Sequence, residues 1–329
     1  MNVKKKAVLA SSMGPLSDLD IRLLRVFKAV VECGGMTAAE LELNIGGPTI
    51  SRHLKDLETR LGLTLCRRGR AGFAVTPEGD RIYQETLRLL TAIDGFRAGV
   101  DDIHQRMGGQ LSIAIFDKTA SNPACRISEA IALFAERAPE VGLELHVAPL
   151  NTIERGVIDG QFQVGIIPAH RASESLSYLD LFDETMLLYC APGHPWWDIA
   201  RQDARKVTNK GARLPGWNEL KAQRFAGLGY HSPNMDLAHG HRIVRAATGF
   251  DQESIATLIL SGRYLGFLPD HYAEAFVRSG RLVAVNPRVL RYPAHFVGVL
   301  RRSPPASRAT RLLVDCLTET HGPITGAKP

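Results

Sequence analysis

The sequence predicts a multidomain chain with three parts: an N-terminal winged helix-turn-helix unit, one long connecting helix, and a two-lobed α/β domain. Three observations predict this. Two short amphipathic helices around a glycine turn fit residues 35–58 and are followed by a β-hairpin. An apolar seam with spacings of four and three then runs from Leu89 to Met107. From residue 110 onward, short apolar strands alternate with helical segments, as in an α/β domain with a mainly parallel sheet.

In the first part, a helix is expected over 19–31, and a second over 37–43 with Thr37 placed to cap it. Asn44-Ile45-Gly46-Gly47 breaks the second, because Asn and Gly tolerate the dihedrals of a sharp turn. Pro48 suits the first turn of a third helix, where its missing N–H costs nothing. Ile50, Leu54, Leu57 and Leu61 give that helix its apolar stripe. Thr49, Ser51, Arg52, His53 and Lys55 crowd its first two turns with hydrogen-bond donors. This is the layout of a helix that enters the major groove N-terminus first. Two amphipathic helices around a turn also occur in all-α domains of other kinds, so the residues that follow carry weight.

Leu63 and Leu65 are expected on one short strand, and Phe73 and Val75 on a second, with Gly69 and Gly72 bracketing the turn. The tip carries Arg67, Arg68 and Arg70. Between residues 51 and 73, six basic side chains face only Asp56 and Glu58. A solvated charge cluster is the bland alternative. Its place on a wing beside a helix-turn-helix favours contact with phosphates, whose neutralisation releases counterions.

Residues 16–103 resemble the N-terminal domain of LysR-type transcriptional regulators. The features that carry the resemblance are Met36-Thr37, Leu43, Pro48-Thr49-Ile50-Ser51-Arg52, Leu57-Glu58, Leu61-Gly62 and Val75-Thr76-Pro77-Glu78-Gly79. Two positions depart from the family. Gly46 and Gly47 stand where Ser-Gln usually precedes the proline, and Glu40 replaces the second residue of an Ala-Ala pair. Without the Gln, base reading is expected to fall on Thr49, Arg52 and His53.

Thr76-Pro77-Glu78 has the chemistry of a helix start, and that helix is expected to reach Met107. Leu89, Ile93, Phe96, Val100 and Ile103 form its seam. Such a stripe packs either on its own domain or on a partner helix. A lone linker helix would leave it wet, so a homodimer is expected, and the resemblance implies a dimer of dimers. The parts expected are a basic tail over 1–16 (with Met13 as an alternative start), the winged helix-turn-helix over 17–75, the linker over 76–107, the effector-binding domain over 110–321 and a tail over 322–329.

The second half resembles the periplasmic-binding-protein-like effector domain of the same family. The features are element order, His194-Pro195 and Gly266-Phe267-Leu268-Pro269. Lobe 1 is expected over 110–190 and 290–321, and lobe 2 over 191–289. Helices are expected over 122–138, 153–160, 235–248, 254–261 and 307–321. Strands are expected over 110–116, 143–148, 163–167, 186–190, 224–228, 264–268, 282–285 and 295–301. Ligands bind such domains at strand carboxyl ends, in the cleft between lobes. The first strand leads to Lys118, Thr119, Ser121 and Asn122, just before an expected helix N-terminus that would attract an anion. The resemblance implies that this loop holds an inducer, with Lys118 as counter-charge to a small polar or anionic molecule. Ser121 and Asn122 could equally serve only as caps. The later strands deliver His170 and the run Tyr230-His231-Ser232.

Composition narrows the function classes. The net charge of +6 is compatible with nucleic acid. Five scattered cysteines without a Cys-x-x-Cys pair point to a reducing cytoplasm, with no zinc site or disulfide framework. His239-Gly240-His241 lacks companion ligands and reads as surface. The stretch 198–216 reads as an exposed basic insertion. No nucleophile elbow, Walker loop, zinc-protease helix or dinucleotide motif is present, and no cofactor is expected. An enzyme or a two-lobed binding protein would leave residues 17–107 without a task. The expected partners are double-stranded DNA carrying an interrupted inverted repeat, RNA polymerase, and a small effector.

Overall fold

The computed structural model describes residues 14–69, 72–104, 107–205, 214–230 and 232–322, with backbone alone for 68, 69, 98 and 101–103. Arg70, His231 and residues 206–213 of the basic insertion lie outside the described residues. The chain divides into two compact units, one up to Arg97 and one from Ala98 onward.

The first unit opens with α1 (Asp18–Glu32). Ser17 and Asp20 cap it reciprocally: the Ser17 N–H donates to the Asp20 carboxylate at 2.8 Å, and the Ser17 hydroxyl accepts from the Asp20 N–H at 3.4 Å. Its C-terminus closes on a glycine turn, with the Gly35 N–H reaching the Val30 carbonyl at 3.0 Å. The chain therefore re-enters a helix sooner than Thr37 suggests. α2 (Met36–Leu43) starts on Gly35, so Thr37 lies inside the helix and caps nothing. Asn44, in the left-handed region at φ 50°, ends α2, and α3 (Gly47–Leu61) follows with Pro48 in its first turn. Ile50, Leu54 and Leu57 are fully buried against Leu23, Phe27, Val30 and Ala39.

The wing consists of β1 (Cys66–Gly69) and β2 (Gly72–Val75), paired antiparallel with Arg68 opposite Phe73. Leu63 and Leu65 precede it rather than forming it. The Glu58 carboxylate accepts from the Leu65 and Cys66 N–H groups at 2.8 and 3.2 Å, and Leu65 is fully buried in the core. These contacts draw Leu65 into the domain interior at the entry to the hairpin, while Leu63 stays exposed. α4 (Pro77–Ile103) starts as expected, with the Thr76 hydroxyl accepting the Gly79 N–H at 2.9 Å. The helix ends at Ile103, short of Met107.

The second unit runs β3 (Gly109–Ile115), α5 (Ile127–Arg137), β4 (Val141–Val147), α6 (Leu150–Asp159), β5 (Val164–Pro168), β6 (Leu176–Cys190), α7 (Trp197–Ala204), α8 (Trp217–Leu220), β7 (Phe225–Leu228), α9 (Pro233–Gly240), β8 (Arg245–Gly249), α10 (Gln252–Leu260), β9 (Gly266–Pro269), α11 (Asp270–Arg278), β10 (Val283–Ala284), β11 (Arg291–Arg301) and α12 (Arg308–His321). β10, β6, β11, β5, β3 and β4 lie side by side in one sheet, with β9 also pairing to β6. β3 is parallel to β4 and β5, while the long strands β6 and β11 form an antiparallel ribbon. A smaller parallel sheet joins β7 and β8. β9 and β10, from the segment expected as lobe 2, pair with the C-terminal part of β6, so the boundary expected at residue 190 falls within one sheet.

Several elements differ from the sequence reading. β6 begins at Leu176, ten residues before the expected strand, and the stretch expected as an exposed basic insertion carries the end of α7, whose Ala200 is buried in the core. Residues 122–126 are not helical: the Asn122 side chain accepts the Ala124 N–H at 2.9 Å, and α5 starts only at Ile127. An Asn that bonds the backbone two residues on offers the chain a turn in place of a helix. The expected 235–248 helix stops at Gly240, and Arg242 turns the chain at φ 55° into β8, which pairs with β7. α11 was not expected at all. It packs Ala273, with Tyr272 and Phe276 partly buried, against the core.

Candidate functional site

Two sets of side chains stand out, one in each unit. In the first, α3 divides cleanly. Its buried stripe faces the core, while Pro48, Thr49, Arg52 and Lys55 are exposed on the other side. Ser51 and His53 are half-buried, and the His53 Nδ1 is out of solvent without a hydrogen-bond partner. Thr37 and Arg67 are exposed. The side chain of Arg68 and all of Arg70 lie outside the described residues. The orientation of α3 is pinned from its far end. Arg60 clasps the fully buried Asp20 of α1 at 2.5 and 2.9 Å. The Arg60 guanidinium and the Ser17 hydroxyl and amide hold the Asp20 carboxyl down at about 2.

The two departures from the family pattern meet in space. A side chain on Gly47 would start 2.5 Å from a Glu40 carboxylate oxygen. Glu40 thus borders the place the usual Gln would occupy, and a carboxylate near the start of α3 favours the helix dipole.

Along α4, the expected seam splits. Leu89 is partly buried against its own unit's core, and Ile93 is half-buried. Phe96 is 74% exposed and Val100 37% exposed. The side chain of Ile103 is not described.

In the second unit, the loop after β3 meets the segments before α9 and α10. The Phe116 and Tyr230 rings pack edge to face at 6.3 Å, and an Asp117 oxygen accepts the Gln252 N–H at 2.8 Å. Lys118 is not a free counter-charge. Its ammonium sits 2.7 Å from Glu253 and 4.8 Å above the Tyr272 ring. Thr119 is buried with its hydroxyl donating to the Phe116 carbonyl at 3.3 Å. Asn122 is spent on the turn described above. Its loop leads into that turn rather than a helix N-terminus, which removes the anion argument.

Ser121 is exposed, and its hydroxyl lies 2.9 Å from His271 Nδ1; His271 Nε2 is 3.0 Å from the buried Glu184. Ser232 is buried and donates to the Tyr230 carbonyl at 3.3 Å. His170 goes elsewhere: its buried ring lies 3.7 Å from Glu154 on α6, which also binds Arg171 at 2.9 Å. His241 stacks on Trp217 at 4.0 Å, consistent with a packing role.

The sequence puts Asp117 on this loop without marking it as a contact, and it does not single out Glu184, Gln252, Glu253, His271 or Tyr272. Asp117 was adjacent to the chosen loop residues, and Asp251 before Gln252-Glu253 is a legible helix cap. His271 and Tyr272 depended on the unexpected α11. Electrostatically the region is acidic. Burial pushes the Asp117 carboxyl up to about 6, opposed by the Gln252 N–H. Burial also raises Glu184, whereas Lys118 and then Tyr272 lower Glu253. No group of metal-ligating residues is present among the described residues, and no described helix is long and apolar enough to cross a membrane.

Both units have counterparts in known proteins. Residues 21–80 match the family model for the bacterial regulatory helix-turn-helix protein, lysR family, and residues 104–322 match the LysR substrate binding domain. The HTH-type transcriptional activator BauR of Pseudomonas aeruginosa is 39% identical over 291 residues, covering 88% of this chain and 92% of BauR. The probable HTH-type transcriptional regulator LrrA of Synechococcus elongatus is 30% identical over 191 residues, covering 56% of this chain and 64% of LrrA. Among solved structures, CbnR, a LysR family transcriptional regulator, superimposes with a TM-score of 0.60 at 17% identity, covering 92% of this chain and 99% of CbnR. Full-length CbnR complexed with its target DNA gives 0.59 at 18% identity, covering 91% and 99%. The chain belongs to the LysR family of transcriptional regulators: it is a DNA-binding regulator with an effector-binding domain, not an enzyme.

Proposed function

We propose that this regulator binds an interrupted inverted repeat in duplex DNA as a cytoplasmic homodimer, paired again into a tetramer, and contacts RNA polymerase. A small polar effector bound between the lobes shifts the assembly between two arrangements on DNA. The observation that carries the DNA reading is the split of α3, with Pro48, Thr49, Arg52 and Lys55 exposed opposite Ile50, Leu54 and Leu57. Thr49 and Arg52 are three apart, so one helix face presents both to a groove. Arg67 on β1 supplies a phosphate contact beside it. The exposed Phe96 and Val100 support pairing through α4, since a wet apolar stripe at heptad spacing suits a second copy. The effector site is supported by the convergence of the 116–122 loop with Tyr230 and Gln252. A ligand there changes the assembly only through unequal affinity for its two arrangements.

The test separates reading from holding. Arg52→Ala should cost about 1–3 kcal/mol at the specific site and much less on random DNA. Arg67→Ala should weaken all sequences alike and flatten the salt dependence. Equal losses for both variants on both DNAs would refute the assignment.

A further inference from the structure

We infer that the effector of this regulator carries an ammonium group, held by the Asp117 carboxylate together with the side-chain oxygens of Gln252 and Tyr230. The inference rests on the cleft being the effector site and names the chemistry that site selects.

Three observations converge. First, Asp117 Oδ1, Gln252 Oε1 and the Tyr230 hydroxyl are all out of solvent and none has a hydrogen-bond partner. Gln252 is 3% exposed and Tyr230 8%. Polar groups this buried are normally paired, and an unpaired one invites a ligand to complete it. They are neighbours, since the second Asp117 oxygen takes the Gln252 N–H and the Phe116 ring packs on Tyr230. All three can accept, and a primary ammonium brings three donors.

Second, the local charge is negative. Asp117, Glu184, Asp251, Glu253 and Asp270 act on one another and on these tyrosines. Against them stand Lys118, already spent on Glu253, and His271, already on Glu184. An anionic ligand would enter a field of its own sign. Third, the rings of Phe116, Tyr230 and Tyr272 line the same region, and Tyr272 already carries one ammonium on its face.

The experiment uses the full chain and three isosteric probes at matched ionic strength: butylammonium, butanol and butanoate. Thermal unfolding gives the affinity, and amide exchange gives the location. Butylammonium should stabilise the protein and protect the 117–122 and 250–254 segments, while butanoate should not. Asp117→Asn keeps an oxygen for the Gln252 N–H but removes the charge, and should weaken butylammonium about tenfold or more. Tyr230→Phe, which removes only the hydroxyl, should weaken it less. Butanoate binding in these segments, or unchanged butylammonium affinity in Asp117→Asn, would overturn the ammonium assignment while leaving the cleft as the effector site. Protection by any probe confined to other segments would overturn the cleft reading itself. Absence of stabilisation by primary ammonium ions of graded chain length would overturn the assignment.

Discussion

Gly79→Ala should destabilise the DNA-binding unit, although helix propensity predicts the opposite sign. Gly79 lies in the first turn of α4, where alanine ordinarily gains about 1 kcal/mol over glycine. Here its Cβ would meet the Leu65 carbonyl oxygen at 2.1 Å, the Leu65 carbonyl carbon at 2.9 Å and Val75 Cγ1 at 2.9 Å. Ordinary carbon contacts fall at about 3.5–4 Å, so the backbone at Leu65 must retreat by more than an ångström. That oxygen accepts the Thr76 N–H at 2.9 Å and the Thr76 hydroxyl at 3.2 Å. Losing both costs about 1 kcal/mol each, and displacing the fully buried Leu65 adds core strain of about 1–3 kcal/mol. Net of propensity, the expected cost is roughly 2–4 kcal/mol. Amide exchange of α1 to α3 in urea reads it, and specific DNA affinity should fall in parallel. Gly95→Ala on the same helix is the control, because nothing lies within 4 Å of its Cβ. It should stabilise by about 0.5–1 kcal/mol. If both alanines stabilise alike, the close approach at Leu65 is wrong and propensity alone governs α4.

Asp20→Asn should loosen α3 from α1 by about 1 kcal/mol, a figure kept small because the Arg60 side chain is 41% exposed. The folded carboxyl titrates at about 2, below its unfolded value of 3.8, so its contribution is full above about pH 4 and lost as pH falls through 2. The variant should therefore flatten the acid limb of amide exchange in α1, and an unchanged limb would contradict the pair. Asp117→Asn should stabilise the ligand-free effector domain by about 1–3 kcal/mol at neutral pH. Its carboxyl titrates at about 6 when folded, so the charged form is penalised above that pH and the gain should vanish below about pH 4. A constant gain across pH in thermal unfolding would show that burial of charge is not its source. Phe96→Asp with Val100→Asp should give smaller particles in light scattering, since an unpaired charge buried at a helix seam is expensive. Unchanged mass would remove the α4 seam from the interface.

The DNA-binding unit was legible because its determinants are local. A helix-turn-helix is written in consecutive residues: Asn44 in the left-handed region, Pro48 in the first turn, and the Ile50–Leu54–Leu57 stripe buried as read. Where the reading slipped, a nonlocal contact intervened. Leu63 and Leu65 alternate like a strand, but Glu58 captures the backbone there and Leu65 is drawn into the core. Thr37 has cap chemistry, but the turn at Gly34 and Gly35 starts the helix before it.

The candidate site in the second unit was legible only in outline, for the same reason carried further. Strand order singles out the loop after β3, but each partner that decides its chemistry lies far away in sequence. Lys118 reads as a counter-charge until Glu253, 135 residues on, is seen beside it, and Ser121 reads as a cap until His271 is seen 150 residues on. Asn122 reads as the start of a helix because the pattern from Ile127 onward is helical, yet its own side chain bends the chain away first. Charge sign at this site is a sum over elements that lie far apart in the sequence. The isolated lysine therefore pointed to an anion, whereas the assembled set of Asp117, Glu184, Asp251, Glu253 and Asp270 points to a cation. A fold pattern can thus be read from local periodicity, while the polarity of a ligand depends on which distant side chains neutralise one another.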